Sequence, residues 1–178
     1  MSEPLSNEEA YCVLEPYFVA ARGFFVTYCE KLGLDAKGIE KTRFECSPEM
    51  HDTERHFAGT TLDGRKVLCA PEMADLPEDT VSAIMAHEFG HVVDHQFPAH
   101  FVVIEGLLVF VGDVEPSNPR AEQARIARMR QWNKRSLQEI EVIADLIAQA
   151  AIGSRIGYSG KCMLQGLNRG VPRPEGLR

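Results

Sequence analysis

Apolar residues near the N-terminus recur with helical spacing: Val13, Leu14, Phe18, Val19, Phe25 and Val26 make one side of a helix. Ser6 and Glu9 form a capping box that starts this helix at about Asn7, since hydroxyl and carboxylate each satisfy an orphan backbone N–H. Pro16 is expected to kink or split it, because proline removes one hydrogen bond and crowds the preceding turn. Gly33 and Gly38 bracket the exit. Over residues 42–70 the pattern becomes extended. Thr42–Cys46 reads as a short strand, and two further runs, Arg55–Leu62 and Arg65–Ala70, flank Asp63-Gly64, a strong hairpin signal.

Helical patterning resumes after Pro77. Proline and acids at 77–79 suit a first helical turn, and Val81, Ile84, Met85, Phe89 and Val92 give an apolar side to a helix ending near His95. The run Phe101–Val111 is apolar throughout except Glu105 and Gly106, so periodicity alone leaves it open between a buried strand and a short helix. Its 11 residues are too few to span a membrane. Ser117-Asn118-Pro119 then opens a basic helix over about 119–133. A second capping box, Ser136 with Glu139, opens a helix that Gly153 ends. Residues 153–178, rich in glycine, read as an irregular C-terminal region.

The chain has 178 residues, 44% hydrophobic and 25% charged, which fits one globular domain spanning 1–178 and excludes a disordered chain. Five scattered cysteines without a C-x-x-C pair suggest reduced, mostly buried thiols. The acidic N-terminus lacks the basic start of a targeting peptide, so a cytoplasmic location is expected. Net charge is −7 but uneven: −13 over residues 1–119, +5 over 120–135 and +1 over 136–178. A general nucleic-acid binder is therefore not expected, and any such contact would fall to the basic segment.

The chemistry concentrates in Ala86-His87-Glu88-Phe89-Gly90-His91. Helix positions four apart lie about 40° apart around the axis and one turn along it, so His87 and His91 can share one ion. Glu88 falls beside that ion, within reach of a bound water without being a ligand. Zn²⁺ suits these donors and lowers the pKa of bound water toward ~7. With 6 His and 18 Glu in the chain, chance would give only about 0.02 H-E-x-x-H matches. A third donor is needed, and the helix over 137–152 offers one. Ile140, Ile143, Ala144 and Ile147 make its packing side, with Glu141 and Asp145 one turn apart beside them. Glu141 would complete a His-His-Glu set, and Asp145 could hold the second ring N–H of a ligand histidine.

With these motifs the sequence resembles the gluzincin metallopeptidases, in which a helix bearing H-E-x-x-H meets a second bearing E-x-x-x-D. The forms His87-Glu88-Phe89-Gly90-His91 and Glu141-Val142-Ile143-Ala144-Asp145 are closest to small intracellular and ImmA/IrrE-like members, and the likeness covers roughly residues 65–152. It implies an α+β, zincin-like fold: a small antiparallel sheet packed on the H-E-x-x-H helix, with a second helix supplying the third ligand. It implies one Zn²⁺ on His87, His91 and Glu141, Glu88 as general base, Asp145 behind the ligands, and a peptide or protein substrate. The interval between the motifs is longer than in the smallest relatives and makes residues 101–135 an inserted segment.

Neighbouring zinc patterns fit less well. A metzincin needs glycine and histidine where Asp94 and Phe97 stand, and His95 lies about 12 Å along the axis from His87, too far to share the ion. A peptide-deformylase-like site would use Cys46, but the E-G-C context and glycine-rich motif are missing; a strand-core thiol is the simpler expectation. His95, His100, Arg155 and Tyr158 are oxyanion candidates by chemistry alone. The Arg65–Ala70 strand is the expected edge for an extended substrate, or else an internal strand. Arg120, Arg125, Arg128, Arg130, Lys134 and Arg135 form either a solvated helix face or a docking surface for an acidic partner. The latter would suit a non-catalytic, regulatory zinc protein.

Overall fold

The computed structural model describes residues 5–47, 57–112 and 118–153. Arg155, Tyr158, Cys162 and nearly all of the C-terminal region lie outside them. The order is α1 (Asn7–Lys31), α2 (Lys37–Glu40), β1 (Arg43–Cys46), β2 (Ala58–Thr60), β3 (Lys66–Cys69), a 3-10 turn (Pro71–Asp75) and α3 (Glu78–Gln96). There follow β4 (Phe101–Ile104), β5 (Leu107–Phe110), α4 (Pro119–Trp132) and α5 (Leu137–Ile152). The fold is mixed α+β.

Local signals set the helix ends. Both capping boxes form, Ser6 with Glu9 and Ser136 with Glu139, and Asn118 caps α4. Pro16 does not split α1. It sits on the exposed face, where the carbonyl it leaves unpaired can turn to water. The buried side of α1 is Ala10, Leu14, Phe18, Ala21, Phe25 and Cys29; Val13 and Val19, expected inside, are exposed.

The sheet corrects the expected purely antiparallel arrangement. Its order is β1-β3-β2, with β1 parallel to β3 and β2 antiparallel to it. The Asp63-Gly64 hairpin joins β2 to β3: Gly64 has φ +64°, Thr61 N–H bonds Lys66 O, and the Asp63 carboxylate accepts from Arg65 N–H. Residues 65–70 are therefore not a free edge. β3 is the central strand, and among the described residues β2 is the edge strand packed beside α3. Residues 101–111 resolve as a second, two-stranded sheet, β4 antiparallel to β5, turned at Glu105 (φ 51°) and Gly106 (φ 78°). The hairpin is only partly covered, and Ile104 and Leu107 are exposed.

α3 runs through the middle of the molecule. It packs against α5, α1, β2 and β3, and every residue from Ala83 to Asp94 is buried. Phe89 lies between α1's Phe18 and Phe25, with ring centroids 5.2 and 5.4 Å away; truncating it to alanine costs about 3–5 kcal/mol. Cys29 and Cys69 are buried and Cys46 half-buried as expected, but Cys12 is exposed. Among the described residues no helix is long and apolar enough to cross a membrane.

Candidate metal centre

The site lies where α3 crosses α5, and a glycine permits the crossing. A Cβ on Gly90 would stand 2.1 Å from the carbonyl oxygen of Ala144. Glycine inside a helix costs about 1 kcal/mol relative to alanine. Here it lets the two backbones touch, and that contact brings Glu141 and Asp145 to the histidine side of α3.

His87, His91 and Glu141 converge. The Nε2 atoms of the two histidines are 3.0 Å apart, and the Glu141 carboxylate lies 3.0 Å from His87 Nε2 and 3.5 Å from His91 Nε2. Among the described residues these three make the one group of metal-type donors within mutual reach. Tetrahedral coordination with bonds of 2.0–2.1 Å puts ligand atoms about 3.3–3.4 Å apart, so the triangle has the size such an ion requires. Both histidines are buried and the Glu141 side chain is 29% exposed, so access is on Glu141's side.

Asp145 lies behind His87, its Oδ1 accepting from Nδ1 at 2.6 Å. The neutral ring then carries its lone pair on Nε2, facing Glu141's anionic oxygen. Something positive must sit between them, either a metal ion or a proton. Burial alone would lower the His87 pKa. Its hydrogen bonds to Asp145 and Glu141, with the Glu88 charge nearby, win and push it up to about 10. Burial likewise works against an ionised Glu141, but the two histidines outweigh it and hold that carboxyl well below the usual range. Protonation of His87 is therefore favoured, and a metal ion bound there would compete with that proton.

Glu88 is buried next to His87 and accepts from the Thr60 hydroxyl at 2.7 Å on Oε2. The same hydroxyl lies 3.0 Å from the Glu88 carbonyl oxygen, the longer of the two acceptors its single proton can serve. Sequence reasoning missed Thr60, which is 28 positions away on a three-residue strand. It missed Asp94 as well. That fully buried carboxylate is bound by Trp132 and Arg135, which removes two residues of the basic segment from the free surface.

The remaining candidates stand apart from the triangle. His95 is half-buried, its ring 6.4 Å from that of His91 and edge-on to Trp132; burial lowers its pKa. His100 packs against Phe97 and Phe110. Cys46 does not join the donor group, and burial pushes its thiol up to about 11, which leaves it poorly suited to ligation. Comparison with known proteins finds no matching family model, no matching curated sequence and no matching solved structure.

Proposed function

We propose that this chain is a zinc-dependent peptide-bond hydrolase of the gluzincin kind, with a zincin-like core formed by α3, α5 and the β1-β3-β2 sheet. His87, His91 and Glu141 hold one ion, Glu88 is the general base, and the expected location is cytoplasmic. The convergence of three donors, with Glu88 buried beside them and no fourth protein donor among the described residues, carries the reading. Structural zinc sites use four protein ligands, whereas catalytic ones keep a position open. A zinc ion held by His87, His91 and Glu141 would supply Lewis acidity at the substrate carbonyl and lower the pKa of water beside it.

The chain's own groups do the rest. Thr60 donates to Oε2 of Glu88 and leaves Oε1 to receive a proton from water, which Glu88 then delivers to the departing amine. Asp145 holds His87 in the tautomer that presents Nε2. An extended peptide would lie along β2, the edge strand that also carries Thr60.

A second reading, a regulatory zinc protein engaging an acidic partner, draws on α4, in which no residue is buried. The two separate in one assay: chelator-stripped protein, with and without one equivalent of zinc, is offered a broad peptide library. Hydrolysis restored by zinc supports the enzyme. One tightly held zinc with no peptide cleaved at any length supports the regulatory protein.

A further inference from the structure

The Asp94–Arg135 pair does more than fasten a loop. Asp94 is 0% exposed and sits one turn beyond His91 on α3; the Arg135 side chain is 7% exposed. Arg135 forks it with Nη1–H to Oδ1 at 3.1 Å and Nη2–H to Oδ2 at 2.6 Å. Trp132 Nε1–H adds a bond to Oδ1 at 3.2 Å, and the guanidinium lies 4.7 Å from the centre of the same indole. A buried charge pair needs such full satisfaction to be tolerated.

Its position in the chain gives it a second consequence. Arg135 immediately precedes Ser136, the cap of α5, and Glu141 lies on the second turn of that helix. No residue of α5 before Ile143 is buried, and Leu137 is 74% exposed. The first turn of α5 therefore has no core anchor, and the turn that carries Glu141 gains its first at Ile143. It is held from the C-terminal side by the Gly90–Ala144 contact and the Asp145–His87 bond, and from the N-terminal side by the Asp94–Arg135 pair. We infer that Asp94 and Arg135 are positioning residues for the metal site, clamping the start of α5 to the end of α3 so that Glu141 is presented to His87 and His91. This inference rests on the proposed metal site.

The test is zinc affinity measured by chelator competition, alongside thermal unfolding of the metal-free protein. Removing one partner would bury an uncompensated charge, so both are replaced in Asp94→Leu/Arg135→Met; exchanging a buried pair for apolar side chains is often neutral or stabilising. The double variant is expected to unfold near the wild-type temperature but to bind zinc about 10- to 100-fold more weakly. Its cobalt(II) derivative should have an altered visible spectrum as Glu141 shifts. Wild-type affinity in the folded double variant overturns the inference while leaving the metal site intact. Should that variant fail to fold, Arg135→Lys decides instead. It keeps the charge and loses the fork, so weakened zinc binding is expected and unchanged binding overturns the inference. A wild-type chain that binds no zinc overturns the metal-site reading itself, and the inference with it.

Discussion

Gly90→Ala reverses an otherwise dependable rule. In an exposed helix interior, glycine to alanine gains about 1 kcal/mol. At Gly90 the new methyl would stand 2.1 Å from Ala144 O, 2.7 Å from its carbonyl carbon and 2.9 Å from its Cα. Ordinary contact begins near 3.4 Å, so α3 and α5 must part by about 1.3 Å (3.4 less 2.1). Overpacking of this sort costs about 1–3 kcal/mol, and backbone cannot swing aside as a side chain can. We therefore take the upper end and expect a net loss of about 2 kcal/mol after the propensity gain. Metal ligation tolerates only about ±0.2 Å, so the same movement should carry Glu141 out of range of the histidines. Urea unfolding of wild type and variant, with excess chelator and then with zinc, reads both effects. The chelated midpoint should fall at constant slope, and the extra stability conferred by zinc should shrink more than in proportion. A midpoint that rises with alanine would refute the close-contact argument; a full zinc increment would refute its link to the site.

Other consequences follow from the same geometry. Glu141→Ala should weaken zinc binding strongly, and calorimetric titration showing wild-type affinity would remove Glu141 from the ligand set. Thr60→Val should lower kcat by about tenfold with KM little changed, and Thr60→Ser should restore it; an unchanged kcat would make the hydroxyl merely structural. In chelator, His87 faces Asp145, Glu141, Glu88 and His91, and its folded pKa lies above the unfolded value, at about 10. Its contribution is thus fully present below pH ~6.5 and is lost as pH rises toward 10, at no more than about 1.4 kcal/mol per pH unit. Metal-free urea midpoints should be lower at pH 9 than at pH 7, whereas zinc affinity should rise over that interval; a higher metal-free midpoint at pH 9 would contradict the proton-for-metal exchange.

What the sequence made legible was local. Ser6/Glu9 and Ser136/Glu139 mark helix starts because all their bonds span three residues. His87 and His91, and Glu141 and Asp145, are readable as pairs because four-residue spacing fixes which side chains share a helix face. That the two helices approach so closely rests on Gly90, whose cost within a helix is itself a signal of close approach. Strand partnership has no such local mark, so nothing near Arg65–Ala70 disclosed that β1 would run parallel to it and enclose it. The β4–β5 hairpin turns on Glu105-Gly106, without the Asn or Asp that usually announces such a turn. Thr60 and Asp94 find their partners 28 to 41 positions away, and only the packed chain brings them together.

Substitution at Glu88 separates catalysis from metal binding in a single experiment. Zinc content and peptide-library hydrolysis are measured together for wild type and Glu88→Gln. One zinc per chain is expected in both proteins, with cleavage by the wild type and a loss of cleavage in the variant by at least about a hundredfold. Equal cleavage by the two, or a wild-type chain that binds zinc and cleaves nothing, would contradict a zinc hydrolase that uses Glu88 as its base.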